Sequence, residues 1–570
     1  MKVVYLGRQS RRNNPAPSLD GDVIELLANN WDDYGYQTSF PVTARFGGKA
    51  LELDHIRLLI DSEYSSSTAL DRLLEKGWDG EFPISDVNYI SVPSDITFYE
   101  QLDGLLGSVA AIKVACALRD ASYLVHVKED AAAISLSETE GFAKSLQRER
   151  GSIKAFIDGW RVFEQQPIAV LDLGFRFRDV FQDVSTLNLK FRSESPLPHD
   201  INVLIGPNGH GKSQTLHQIV QSWISPDNEI ETGFLEKPNL SQIVVVSYSP
   251  FERFPVDLAG RQLQDTEAYR YFGFRGRSEP TDSKKRGGIR ISHEFPRKNA
   301  AKSLLDCLRD DRKYKNIRNW SKKLETVERV LKTAIEFDCV AIQIESRKSF
   351  AAFYEDVDDL EADSLGFNVG TGDERIRYVP IRADRVAQLD DKNLSAVVIA
   401  ESGVTFFKDR KPIELSSGQR LFAYIVINVV GAIRRNSLIL IDEPELFLHP
   451  TLEIQFVDML KQILFRFNSK ALLATHSEVT VREVPADCVH VYEKGENKLI
   501  LKKPPFQTFG GDVQRISSYV FGDNAISKPF EAWIEKQLAQ YDSAEALIEA
   551  LGDDVNEELI IQIKASARSR

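Results

Sequence analysis

The sequence predicts an α/β fold built on a largely parallel sheet, with its ligand site at the carboxyl ends of the strands. Three observations carry that expectation. An apolar strand at 201–205 runs into a glycine-rich loop and then a helical stretch, GPNGHGKSQTLHQIVQSWI. A second apolar strand, SLILIDEP at 437–444, ends in two acids, and a third, KALLATHS at 470–477, ends in a histidine. A near-apolar helix, Leu421 to Ile433, lies just before the acids. Strands alternating with helices in this way build parallel sheets.

A chain of 570 residues is too long for one core, so two or three domains are expected. Residues 1–165 read as an α+β domain with no chemical motif, with strands at MKVVYLG and Ile56 to Asp61 and a helix from Tyr99 to Ala121. Residues 166–522 form the domain that holds the glycine-rich loop. An insertion at about 251–401 opens with a basic Gly/Arg/Lys stretch and continues as helices, too short and without heptads for coiled-coil arms. Residues 523–570 read as a C-terminal segment of short amphipathic helices.

An apolar content of 42% with 27% charged residues is that of globular protein. The four cysteines, Cys116, Cys307, Cys339 and Cys488, are scattered, which excludes a disulfide framework or zinc site and suits a reducing cytoplasm. The N-terminus lacks the apolar stretch of a secretion signal. The longest apolar run, Leu421 to Ile433, falls short of the roughly 18 residues a membrane span needs. A cytoplasmic protein without membrane contact is expected. A net charge of −13 repels nucleic acid from the molecule as a whole, so any such contact needs a local basic patch.

The residues from Gly206 to Ser213 match the P-loop pattern G-x-x-x-x-G-K-[ST] in its required place, between strand and helix. Its glycines, Gly206, Gly209 and Gly211, let backbone N–H groups face phosphates, and the helix adds its positive N-terminus. Asn208 and Gln214 belong to the same nucleotide-binding segment. Lys212 is expected to reach the β- and γ-phosphates of ATP, and Ser213 to ligate Mg²⁺. Asp442 at the end of its strand would share the Mg²⁺ shell, while Glu443 polarises the attacking water. In LSSGQ, Ser416, Gly418 and Gln419 stand at a helix N-terminus, a second anion site. His476 is placed to hydrogen-bond the γ-phosphate and the water.

These four elements, in this order, resemble the ABC ATPase superfamily over roughly residues 166–520: GPNGHGKS as Walker A, LSSGQ as the signature, LILIDE as Walker B and His476 as the switch histidine. The run DEPELFLHP at 442–450 is similar to the non-transporter branch, which includes RecF, SMC-type proteins and the OLD and Septu PtuA-like ATPases of phage defence. The resemblance implies an ABC-type core with a mixed sheet. It also implies ATP-driven homodimerisation or larger assembly, with the signature of one protomer closing over ATP held by the other and the turn Leu446 to Pro450 at the contact. Two positions depart from the family. No glutamine follows the strand Ile243 to Val246, where SYSPFERF stands, and Gln242 lies on the wrong side; Ser249 or a water would have to complete the Mg²⁺ shell. Ser417 also stands where many members have glycine. No aromatic is assigned to the adenine.

Basic residues outnumber acids from Arg270 to Lys302, with Tyr271, Phe272 and Phe274 interleaved, which is the chemistry of a nucleic-acid groove or of a solvated loop. No nuclease pattern follows His476, and GDD at 552–554 reads as a solvated turn. The expected role is a sensor or regulatory ATPase of a bacterial antiviral defence system, controlling a separate effector such as a nuclease or toxin. A RecF-like DNA-repair clamp is the alternative. The missing glutamine, the LHP turn and the insertion count against a transporter subunit.

Overall fold

The structure is a computed structural model that describes the chain except for residues 8–20, 29–34, 226–230, 260–264, 279–286, 319, 356–363, 371–374, 523–528, 553–554 and 569–570. The expected basic cluster Lys284, Lys285 and Arg286, and the acids of the 552–554 turn, lie outside the described residues.

A seven-stranded sheet carries the molecule's centre, in the order Tyr269–Gly273, Gln242–Ser247, Ser437–Asp442, Lys470–Thr475, Ile201–Ile205, Val489–Lys494 and Leu499–Lys502. The first six strands are parallel and the last is antiparallel, so the sheet is mixed. Its central strands are continuous apolar runs because both faces are covered. Against one face pack the P-loop helix Lys212–Ile224 and a three-stranded sheet containing Leu173–Arg178 and Val184–Leu189, around Trp223, Leu216 and Ile219. Against the other pack the helices Glu294–Lys313, Ser417–Ala432 and Pro450–Arg466. The expected apolar helix is the second of these; it is buried all round, which explains why its sequence lacks an amphipathic pattern.

Three elements differ from the sequence reading. The strand Tyr269–Gly273 belongs to the central sheet, although it falls inside the stretch read as an insertion from about 251. Tyr271 and Phe272 are buried in it, so they do not form a stacking platform for nucleic acid. The stretch from 251 to 401 is also not simply helical. Cys339–Ile344, Phe367–Val369 and Ile376–Ile381 join Val404–Lys408 and Lys411–Ile413 in a five-stranded antiparallel sheet. The helix expected from Tyr99 to Ala121 divides into Thr97–Leu106 and Ser108–Ala117, because Gly107 takes a positive φ of 74° that ends the first.

The N-terminal residues build a six-stranded mixed sheet with its own core, containing Lys2–Tyr5 and Lys49–Ile60 as expected strands, covered by helices through Arg150–Phe163. Ion pairs join this unit to the central one. Arg434 Nη1 lies 3.2 Å from Asp95, Arg435 pairs with Glu100, and Lys313 pairs with Asp54. Arg434 and Arg435 directly follow the helix Ser417–Ala432, whose Gly431 carbonyl accepts from Lys323 Nζ at 2.9 Å.

A further junction is fully buried. Lys154, 1% exposed, donates to Asp158 at 2.6 Å and to the side chain of Asn239 at 2.8 Å. Burial pulls this lysine's pKa down and the Asp158 charge opposes the shift. Removing one partner of such a pair strands the other charge. Asp158→Ala should therefore lower unfolding free energy by about 3–5 kcal/mol in urea titration, while Lys154→Met with Asp158→Leu should recover most of the loss.

Candidate active site

Parallel strands deliver their carboxyl ends to one edge, and the sequence-assigned residues gather there. Ile201–Ile205 leads into the P-loop, Ser437–Asp442 into Glu443, and Lys470–Thr475, which lies between those two strands, into His476. Gly206 and Gly211 are required by space, and Gly209 by its positive φ of 75°. A Cβ on Gly206 would sit 2.4 Å from the Tyr492 carbonyl, and Gly211, at φ +94°, would meet Val180 at 3.0 Å. Asn208 is exposed at the loop tip.

Lys212 is buried and folds its ammonium inward, donating to the carbonyls of Gly206 at 2.8 Å and Pro207 at 3.1 Å and to His476 Nε2 at 3.0 Å. Burial pulls its pKa down to about 8, against the raising effect of Glu443, Glu445 and Asp442. His476 is held to about 4, by burial first and then by the Lys212 charge. It is therefore neutral at physiological pH, with Nε2 as an acceptor for the lysine. Ser213 Oγ donates to Asp442 Oδ1 at 2.7 Å, tying the P-loop helix to the acidic strand. Burial raises Asp442 to about 7, and the neighbouring Glu443 and Glu445 charges add to this. A cation between Ser213 and Asp442 would relieve that cost.

Glu443 adopts a left-handed backbone, φ 50° and ψ 58°, unusual for a residue with a side chain. Its N–H donates to the Ala474 carbonyl at 2.8 Å, and its carboxylate lies 3.8 Å from His476 Nε2. Glu445, which the sequence did not single out, accepts the His476 N–H at 2.6 Å and so fixes where the ring begins.

The signature residues stand apart from this group. Ser416 and Gln419 form a reciprocal capping box, with Ser416 Oγ accepting the Gln419 N–H at 3.3 Å and Gln419 Oε1 accepting the Ser416 N–H at 3.2 Å. The Gln419 amide also donates to the Ala334 carbonyl. No hydrogen bond joins Ser416, Gly418 or Gln419 to the P-loop among the described residues. A Cβ on Gly418 would lie 3.2 Å from the Phe447 carbonyl, so the helix start rests on the turn that follows Glu443.

Gln214 lies beside Gly211 and donates to the Arg178 carbonyl of the hairpin between Leu173–Arg178 and Val184–Leu189. That hairpin places Val180 against Gly211, with Phe181 beside Lys494. Gln242 is buried at the far end of its strand, donating to the carbonyls of Glu267 and Ala432. Ser249 lies two residues beyond the end of the same strand. In the basic stretch, Arg275 pairs with Glu252, Arg277 with Asp257 and Arg270 with Asp306.

Comparison with known proteins bears on the same region. Residues 201–482 match the AAA_21 family, described as "AAA domain, putative AbiEii toxin, Type IV TA system". The chain is 24% identical over 332 residues to Protein ea59 of Escherichia phage lambda, covering 56% of this chain and 54% of that protein. It is 28% identical over 112 residues to the Thiamine import ATP-binding protein ThiQ of Ruegeria sp. (strain TM1040), covering 19% of this chain and 47% of that protein. The chain thus spans about half the length of the curated relatives it matches. Solved structures with similarity include a nucleotide-free ATP-binding cassette from an ABC transporter, at 12% identity, 63% coverage of this chain and 96% of that chain, with a TM-score of 0.26. The SMC head domain from Thermotoga maritima matches at 11% identity, 60% and 100% coverage, with a TM-score of 0.24.

In protein free of nucleotide, NMR should find the His476 ring titrating near pH 4, and Lys212→Met should raise that value. The unfolded chain takes up this proton at higher pH than the folded one. The ring's contribution to stability is therefore complete above the ordinary histidine pKa and is lost as pH falls towards 4. The span matched by the family model, residues 201–482, thus holds this loop, these acids and the strands that carry them, the arrangement of a P-loop NTPase core.

Proposed function

We propose that the chain binds ATP with Mg²⁺, hydrolyses it, and closes around it as a dimer or larger assembly. The observation that carries this reading is the convergence of Lys212, the Ser213–Asp442 contact, Glu443 and His476 on one sheet edge. Phosphate oxygens would draw Lys212 off the loop carbonyls, since an anion is a better acceptor. Ser213 and Asp442 would hold Mg²⁺, which shields phosphate charge when bound; two protein ligands suit an ion that keeps waters and phosphates in its shell. Glu443 orients the water and takes its proton, while neutral His476, once Lys212 has left Nε2, can carry its ring proton there and donate it to the γ-phosphate.

Assembly is supported by the surface around the signature. Ser416 and Ser417 are exposed, and in the adjoining turn Leu446 and Phe447 are 47% and 44% exposed. A second copy would bury these apolar groups while presenting its own LSSGQ to the nucleotide.

The division at 1–165, 166–522 and 523–570 is retained as part of the proposal, with the first unit joined to the ATPase core through ion pairs. The biological reading is a regulatory ATPase of an anti-phage system that acts on a separate effector. It is supported by the toxin–antitoxin wording of the matching family and by similarity to a phage lambda protein. The pairing of Arg270, Arg275 and Arg277 with acids weighs against a DNA clamp working through that stretch.

Glu443→Gln should keep ATP binding and lower hydrolysis by about 10²–10⁴. With ATP and Mg²⁺ it should run as a dimer or larger species in light scattering, and adding Phe447→Asp should return it to monomer. Unchanged turnover, or no change of mass with ATP, would sink the reading. A stoichiometric protein co-purifying with Glu443→Gln from the native host supports the effector role; DNA alone supports the clamp.

A further inference from the structure

The strand Gln242–Ser247 ends level with the acidic strand, so that Ser247 pairs with Asp442 on one side and with Gly273 on the other. Paired residues of a ladder point to the same face. That face is the P-loop side: Val245 and Leu440, two positions earlier on each strand, pack with Leu216 and Ile219 of the P-loop helix. Ser247 and Asp442 therefore stand side by side beneath Ser213.

Ser247 is 0% exposed, and its hydroxyl has no hydrogen-bond partner. A buried hydroxyl with no partner in the chain is costly, and alanine would avoid the cost. The groups around it are committed elsewhere: Ser213 Oγ donates to Asp442 Oδ1, and the Tyr271 hydroxyl, tucked under Gly273, donates to Glu252 at 2.6 Å. The serine cannot drift from this place, since its carbonyl would lie 2.2 Å from any Cβ on Gly273. It has a fixed position, an unused polar atom, and the metal-binding acid as its neighbour. Ser249 has none of these, being beyond the strand end and partly exposed.

We propose that Ser247 is a positioning residue whose hydroxyl holds a water of the magnesium shell beside Asp442. This rests on the ATP–magnesium reading above. The side chain is too short to replace a longer ligand directly, so a water bridges it to the ion. Magnesium retains several waters in such sites, so the arrangement suits its chemistry.

The test is titration of a fluorescent ATP analogue into wild type, Ser247→Ala and Ser249→Ala, without magnesium and then with increasing Mg²⁺, alongside thermal melts of each free protein. Ser247→Ala should bind the analogue without magnesium as wild type does. It should need about 5- to 10-fold more Mg²⁺ to reach full affinity, the worth of one lost hydrogen bond. Its melting midpoint in the free state should equal or exceed that of wild type, because the unpaired hydroxyl has gone. Ser249→Ala should match wild type throughout. An unchanged Mg²⁺ requirement in Ser247→Ala overturns the assignment, and a lower free-state midpoint shows a structural serine instead. Wild type that binds no nucleotide, or binds it with no response to Mg²⁺, overturns the ATP–magnesium reading and this proposal with it.

Discussion

Six strands run parallel, five of them stop at nearly the same level, and the placing of the candidate site residues depends on that register. Parallel neighbours lie roughly 4.8 Å apart, so a one-residue slip would turn every inward side chain to the opposite face. With Val246 opposite Ile441 and Ser247 opposite Asp442, the acid reaches the P-loop helix and Ser213 can bond to it. The interposed strand Lys470–Thr475 then places His476 between the lysine and Glu443. The long apolar runs that make these strands hold the register in turn, since both faces are buried and neither tolerates a flip.

What was legible in the sequence follows from where the constraint is local. A loop that must cradle phosphates needs glycines at fixed offsets, because neighbouring backbone leaves no room for a Cβ, as Gly206 against Tyr492 shows. Such offsets survive in a single sequence, and so do acids that end an apolar strand. The antiparallel sheet around Cys339–Ile344 was not legible, because its partners lie far along the chain and its short strands carry no turn motif. The strand Tyr269–Gly273 was hidden because Arg270 and the arginines that follow it looked like a solvated basic run until their acidic partners came into place. Ser247 was overlooked for the same reason: its meaning lies in its neighbour across the ladder. Gly107 was a local signal, a glycine at a helix end, that an apolar pattern overrode.

The electrostatics of the edge set charge against burial. Asp442, Glu443 and Glu445 lie near a lysine whose ammonium is held by the carbonyls of Gly206 and Pro207. Burial raises the Asp442 and Glu445 carboxyls and lowers Lys212, so these three charges are costly where they stand. Under the ATP–magnesium proposal, a bound anion and cation would relieve those costs.

The helix Ser417–Ala432 has 16 residues and so forms a stiff rod about 24 Å long. One end is the exposed start at Ser416; the other is followed by Arg434 and Arg435, held by Asp95 and Glu100 of the N-terminal unit. Mechanically, this rod is a crank with a loaded handle. A swing of Ser416 carried down the rod would load those ion pairs across the extended residue Ile433, so the N-terminal unit shares the strain at the rod's far end.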